Sequence, residues 1–461
     1  MRKVKATSRV SATSILRLAV PALGALIAEP LFLLADSAIV GHLGVNELAA
    51  LGLASTVLQT TVGLMVFLAY STTPAVAGLI GAGRRAEAFA VGRDSIAVAG
   101  VLGVVLSILG WAAAPAVAAL MGAEGSVLTF AVDYLRYSMP GLAAMLVVLA
   151  ATGTMRGLQD TATTLRVAAI GFAANIVLNV LLVYGAGLSV AGSALGTSIV
   201  QLGMAAAYLI ILRRLAYGCC PHWKPELRGM RASLRVGSWL MLRTLSLRLA
   251  ILLTVFIAAA QGTVSLAAHQ LVITVFLFFA FALDALAIAA QCLIGKELGA
   301  GRPELAHALT RTMMVWGMGF GVLTGALLAL AAPFVGGLFT ADEAVREALA
   351  AGLWVLALSQ PLSGLVFVLD GVLIGAGDSK YLAVSGMLNL AAYLPLAAAV
   401  LDAELAGAIG VAWLWAAFGL GYMAARAATL LWRIRNDRWM LLGAERATAE
   451  RPDVERRRTA D

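Results

Sequence analysis

Apolar residues run along this chain in blocks of twenty or more, broken by short polar links. The hydrocarbon core of a bilayer takes about twenty apolar residues as a helix, so each block predicts a membrane span. Twelve fit, near 15–40, 47–74, 94–120, 131–154, 163–184, 189–212, 232–259, 264–293, 305–332, 347–374, 382–401 and 406–432. The links fall into two alternating sets. One reads "GAGRRAEAFAVGRD", "RGLQDTATTLR", "RRLAYGCCPHWKPELRGMR", "GKELGAGRPELAH" and "GAGDSK", and it holds nearly all the loop Lys and Arg. The other reads "GHLGVNE", "MGAEGS", "YGAGLS", "QGTVS", "FTADEAVRE" and "LDAELAG". Lys and Arg stay on the cytoplasmic side of a membrane protein, so the first set and both termini are expected there.

The pattern is internally duplicated. Adding 218 carries Gly44, Leu48, Ala49 and Ala50 onto Gly262, Leu266, Ala267 and Ala268. The same shift carries "GAGR" at 81–84 onto "GAGR" at 299–302, and Gly157 and Asp160 onto Gly375 and Asp378. Six spans per copy give both copies the same orientation, so the repeats are parallel, a plan that transporters use. The expected fold is an all-α polytopic membrane protein of twelve transmembrane helices in two six-helix repeats. Its predicted parts are a cytoplasmic segment 1–14, a first lobe 15–212, a cytoplasmic linker 213–231, a second lobe 232–432 and a charged cytoplasmic tail 433–461.

Composition sharpens this reading. Of 461 residues, 61% are hydrophobic and only 13% are charged, against about 25% charged in soluble domains. The net charge of +8 sits in loops and at the ends, where it orients the protein, so nucleic acid is not expected as a partner. The basic start "MRKVKATSRV" is not followed by a small-residue cleavage site, and the first helix is read as retained. Cys219, Cys220 and His222 lie together, but no second ligand cluster follows, so small loop residues are favoured over a metal site. "GAGR" lacks the Lys-Ser/Thr of a phosphate-binding loop, and no catalytic cluster is found. The chain is therefore not expected to be an enzyme, no cofactor is expected, and the energy for transport must come from an ion gradient.

The informative residues are the polar ones inside the spans, because an intramembrane carboxylate is costly and marks a functional site by default. At about 1.5 Å per residue, Asp36 lies just below the outer end of the first helix. Asn175 and Asn179, four apart on one face of the fifth helix, reach a similar depth, as do Thr197 and Ser198 on the sixth. Oxygen-rich groups in one layer suit Na+, and a lone carboxyl group suits H+. Glu29, seven residues before Asp36, shares its face. Pro21 and Pro30 weaken the helix between, since proline frees a carbonyl and permits a bend. The second half does not repeat the acid: Thr254 stands 218 residues after Asp36. It carries Arg243 and Arg248 instead, which seek carboxylates among Glu29, Asp284 and Asp370, either as structural ion pairs or as substrate or gating groups. His269 is expected near the outer surface, where it is a proton-relay candidate. Met65, Phe67, Tyr70, Met145 and Met155 could line an adaptable cavity or simply pack.

Several stretches resemble the MATE (multidrug and toxic compound extrusion) family: "LAVPALGALIAEPLFLLADSAIVGHLG", "NELAALGLAS", "LIGAGR", "MRGLQDT", "NIVLNVLLVYG", "VAGSALGTSIVQ" and "LDGVLIGAGDSKY". "RTLSLRLA" and "AAHQ" are most similar to its DinF-like branch. The resemblance covers about residues 13–432. It implies two six-helix lobes and a cation-coupled antiporter that exports small organic, often cationic or amphipathic, compounds. It also implies that Asp36 is the coupling acid, that Asn175 and Thr197 flank the cation site, and that Pro21 is the bend. Asn179 stands where several relatives have Asp, which removes a charge and suits proton coupling at least as well as Na+. Asp370 matches an acid used in another branch. A flippase for lipid-linked precursors is the competing reading, disfavoured because such relatives usually have extra spans. The expected setting is a bacterial inner membrane, with the bilayer and a small molecule as partners and a monomer as the working unit.

Overall fold

The computed structural model describes residues 12–219 and 223–440, the side chain of Glu29 aside. Cys220, His222, the first eleven residues and the end of the tail lie outside the described residues. Among the described residues, twelve helices are long and apolar enough to cross a membrane. They are α1 (Ala12–Gly41), α2 (Val45–Gly81), α3 (Arg85–Leu120), α4 (Gly125–Gly157), α5 (Thr161–Gly185), α6 (Ser189–Ala216), α7 (Leu227–Ala260), α8 (Thr263–Gly299), α9 (Pro303–Phe339), α10 (Glu343–Gly375), α11 (Ser379–Asp402) and α12 (Gly407–Arg435). The helices run several residues beyond the apolar blocks, because backbone hydrogen bonding continues into the polar flanks after hydropathy has fallen.

The 218-residue shift holds at the level of backbone. It carries α2 onto α8 and α4 onto α10 end to end. Left-handed turn residues recur with it: Gly83 and Gly301 (φ 74° and 69°), Gln159 and Gly377 (63° and 77°), Ser189 and Gly407 (51° and 60°). A Cβ disfavours that region, so Gln159 and Ser189 hold conformations that their glycine counterparts adopt freely.

The chain divides into two compact units. One is Pro21–Met241; the other takes Leu242 onward together with the residues up to Val20. The boundaries therefore fall inside α7 and α1, in the latter case at Pro21. In each unit the fourth helix of the repeat is central: α4 and α10 each have 67% of their apolar window buried. Glycines four apart let a neighbour approach, as small residues do in membrane helix packing. A Cβ on Gly153 would lie 2.8 Å from the Ala69 carbonyl, and one on Gly157 2.8 Å from that of Thr73. Their counterparts meet the same obstacles: Gly371 at 2.5 Å from the Ala287 carbonyl and Gly375 at 2.9 Å from that of Gln291.

Local departures from regular helix are few. α2 is interrupted at Val66, between Val45–Met65 and Phe67–Gly81. α5 ends in a π-helical turn, Leu181–Gly185, and α12 contains another, Ala416–Tyr422. Two helix starts are capped by an aspartate: Asp160 accepts the Thr163 amide at 2.9 Å, and Asp342 accepts that of Val345 at 3.0 Å. The start of α7 is held differently. Buried Asp94 on α3 accepts the Glu226 amide at 3.0 Å and the Arg93 guanidinium at 2.9 Å. Ser95 meets Ser233 at 3.2 Å, and Gly229 leaves no space for a side chain against Asp94. The second half has Thr312 at the position of Asp94, so this seat is not duplicated.

Candidate functional site

In the first unit, α1, α5 and α6 bring four polar side chains together. Asp36 on α1 is 4% exposed, while Asn175 and Asn179 on α5 are fully buried. The Asn179 amide donates to one oxygen of Asp36 and lies 3.3 Å from Asn175 Oδ1. Asn175 donates to Thr197 Oγ1 at 3.0 Å, and Thr197 donates to the other oxygen of Asp36 at 3.5 Å. The donors thus converge on a carboxylate whose cost of burial they offset. Gly196 gives Asn179 its room: a side chain there would collide with Asn179 Oδ1. The π-helical turn begins two residues after Asn179, and such turns gather at functional sites. From it, the Tyr184 hydroxyl donates to the Ile39 carbonyl and ties the C-terminal end of α1 to α5.

Ser198, expected in this layer, turns away and donates to the Tyr137 carbonyl at 2.7 Å. It is about 100° around the helix from Thr197, so the two cannot face the same group. Tyr134 on α4, a core residue that is 3% exposed, lies within electrostatic reach of Asp36. Nothing in the α4 pattern distinguishes it from an ordinary packing aromatic. α1 passes through Pro21 and Pro30 as one continuous helix. Glu29 belongs to that helix, but its side chain is outside the described set.

The second unit holds a different cluster. Arg243 on α7 and Arg426 on α12 both direct Nη2 to Asp370 Oδ2 on α10. Asp370 is 5% and Arg426 6% exposed. They border a small pocket that Asn389 and Tyr422 also line. Sequence reasoning does not single out Arg426, because it lies towards the C-terminal end of its span, where Arg usually snorkels to water. The usable signal was its place within the apolar run "YMAARAATLL".

Arg248 does not join this cluster. It is exposed on α7, because five residues carry it about 140° around the helix from Arg243. Asp284 on α8 is half-buried, and the acid bonded to Arg243 in this cluster is Asp370. His269, six residues into α8, is fully buried among its neighbours. Its ring centroid is 5.6 Å from that of Trp415, and neither ring nitrogen has a hydrogen-bond partner among the described residues. Met65 and Tyr70 flank the interruption in α2 and are half-buried, as is Met145, whereas Phe67 and Met155 are buried packing residues. Cys219 is a free thiol, 3.3 Å from the Ala216 carbonyl.

The MatE family model matches residues 21–181 and 241–399, one block in each half. The chain belongs to the MatE family. Membership makes it a multi-pass membrane transporter of small molecules and not an enzyme. Protein DETOXIFICATION 44, chloroplastic, of Arabidopsis thaliana is 29% identical over 93% of this chain and 83% of its own length. A probable multidrug resistance protein NorM of Deinococcus radiodurans is 30% identical over 82% of this chain and 85% of its own. The crystal structure of the Vibrio cholerae MATE transporter VcmN in the bent form superposes with a TM-score of 0.83 at 21% identity, covering 95% of this chain and 98% of that one. That likeness extends the twelve-helix, two-lobe MatE fold over nearly the whole chain.

Proposed function

We propose that this MatE protein is a cation-coupled antiporter, driven by protons, that exports small organic compounds, often cationic or amphipathic, by alternating access of its two lobes. It works in a bacterial inner membrane with both termini cytoplasmic. The observation that carries the reading is the buried Asp36 carboxylate inside a membrane helix, addressed by hydrogen-bond donors from Asn179 and Thr197. Protonation turns an acceptor oxygen into a donor and removes charge-assisted hydrogen bonds worth about 1.5–3 kcal/mol each. A few kcal/mol shifts a two-state equilibrium by about a hundredfold or more. Protonation and deprotonation of one side chain are therefore enough to bias an outward against an inward state.

The proton is favoured over Na+ by the way the asparagines face. A hard cation wants several oxygens, yet Asn179 presents its amide N–H to the acid, and Asn175 presents its own to Thr197. The alternative, a flippase for lipid-linked precursors, is disfavoured by the count of twelve spans. The deciding experiment is efflux of ethidium from proteoliposomes under an imposed proton or sodium gradient. Export that follows the proton gradient and disappears in Asp36→Asn supports the reading. Export that follows only sodium, or that persists in Asp36→Asn, overturns it.

A further inference from the structure

We propose that Arg136 and Trp111, at the membrane edge of the first unit, bind the phosphate of an anionic phospholipid drawn from the surrounding bilayer. The proposal needs only that the chain is embedded in a membrane and does not depend on the coupling reading.

Arg136 belongs to α4 and Trp111 to the antiparallel α3. The seam between these helices is tight beside them. Ser107 donates to the Met139 carbonyl at 2.6 Å, and a Cβ on Gly103 would lie 2.7 Å from the Ala143 Cα. Held across this seam, the Arg136 guanidinium carbon stands 4.7 Å from the centroid of the Trp111 ring.

Their depth is that of a membrane interface. α3 has 36 residues and α4 has 33, about 50 Å of helix at about 1.5 Å per residue, against about 30 Å of hydrocarbon. Trp111 precedes the end of α3 at Leu120 by nine residues, and Arg136 follows the start of α4 at Gly125 by eleven. With the overhang shared equally between helix ends, both lie within about 7 Å of the hydrocarbon edge. An arginine stem spans that distance and carries its head to the lipid headgroups. Trp111 is 54% exposed and Tyr137, next to Arg136, is 45% exposed, as aromatic residues are where they line a membrane interface. The repeat agrees. A shift of 218 residues turns Arg136 into Trp354, which is also exposed, and Trp111 into Ala329. Both halves keep an exposed tryptophan at this level, and only the first adds a cation.

That cation has no anion in the protein. Among the described residues Arg136 forms no ion pair, and its Nε is buried without a hydrogen-bond partner. Asp133, one turn away on α4, is not joined to it. Charged residues inside spanning helices pair as a rule. The indole takes one face of the guanidinium, so the Nη end of this half-buried side chain is left to meet the surroundings. Its paired N–H groups match the oxygens of a phosphate. The lipid must carry net negative charge, because a whole cation is to be balanced. A choline group would gain little here, since the indole face that would attract it is taken by the guanidinium.

The test reconstitutes the full-length protein into phosphatidylcholine bilayers containing a small, fixed fraction of lipid brominated in its acyl chains. The brominated lipid is either phosphatidylglycerol or phosphatidylcholine. Bromine quenches tryptophan emission on contact, and the difference between wild type and Trp111→Phe isolates the share of Trp111. Brominated phosphatidylglycerol is expected to quench that share at least twofold more than brominated phosphatidylcholine. Arg136→Gln should abolish the preference, and Arg136→Lys, which keeps the charge, should retain part of it. If Arg136→Gln does not fold, competition in wild type decides: unbrominated phosphatidylglycerol should relieve the extra quenching and inorganic phosphate should not. The proposal is overturned if both brominated lipids quench Trp111 equally, if folded Arg136→Gln keeps the preference, or if inorganic phosphate relieves the quenching as well as the lipid does.

Discussion

The two halves of this transporter share a backbone and differ in chemistry. Where one half has to pack, the other repeats it: Gly153 and Gly157 against α2 recur as Gly371 and Gly375 against α8. Where one half carries charge, the other does not. Asp36, Asn175, Asn179 and Thr197 become Thr254, Tyr393, Ala397 and Trp415. At those positions the second half builds an aromatic cluster instead, with Trp415 and Phe418 centroids 5.8 Å apart and those of Tyr393 and Phe418 6.1 Å apart. Conversely, the Asp370–Arg426 pair stands where the first half has the neutral Thr152–Tyr208 hydrogen bond of 3.3 Å. Duplication preserved the contacts that both copies need to fold. The sites diverged, and each half now holds a polar centre that the other lacks.

The sharpest way to break this comparison is through the shared contacts. Gly153→Val and Gly371→Val should be equally severe, because the obstacle in each case is backbone that cannot yield. Overpacking of this kind costs about 3 kcal/mol or more, and the folded, monodisperse fraction on size-exclusion chromatography should collapse for both. Tolerance of one and not the other would mean that the halves are packed by different rules.

Asp36→Asn should come next in size. Gradient-driven export falls by about a hundredfold, while thermal stability in detergent stays near wild type because the amide still fills the site. Unchanged export would move the coupling role elsewhere, with Glu29 the first acid to test.

A third experiment converts one half's chemistry into the other's. Asp370→Thr alone leaves the buried Arg426 and the half-buried Arg243 without this acid, and Arg426→Tyr alone leaves Asp370 with Arg243. The double variant places the neutral pair of Thr152 and Tyr208 at these positions, with Arg243 still deprived of this acid. It should be more stable than the two single effects predict, with a coupling energy of about 1–3 kcal/mol by double-mutant cycle. Additive effects would show that the pair does not act as a unit. The mirror-image loss is the smallest: Thr152→Ala removes one neutral hydrogen bond and should lower stability by about 0.6 kcal/mol, a melting shift near the limit of detection.

Legibility in the sequence followed the same division. Span count, repeat offset and the Asp36 layer could be read because each depends on position along a helix, which sequence spacing states directly. Asn175 and Asn179 were paired by their spacing of four, and Asp36 by its depth. Tyr134, Asp94 and Arg426 could not be found this way. Tyr134 looks like any core aromatic, and what matters about it is a neighbour on another helix. Asp94 lies in the charged flank "AVGRDSIAV", where an acid is expected to face water, and its partner is a backbone amide 132 positions away. Arg426 sits where arginine commonly escapes to the interface. Ser198 and Arg248 show what depth leaves out: rotation about the helix axis turns Ser198 to the Tyr137 carbonyl and Arg248 to an exposed face.

The seat that Asp94 provides for the start of α7 has a consequence for biogenesis. Chains are made and fold from the N-terminus, and α3 leaves the ribosome more than a hundred residues before α7. Its buried carboxylate and the adjoining Ser95 are then in place before Glu226, Gly229 and Ser233 arrive. The first helix of the second repeat is received by a completed neighbour, whereas the first helix of the first repeat has none waiting for it. An interruption in synthesis just after α6 would leave a half-molecule whose α3 bears an open, charged socket, with its carboxylate lacking the backbone amide that it accepts in the finished chain.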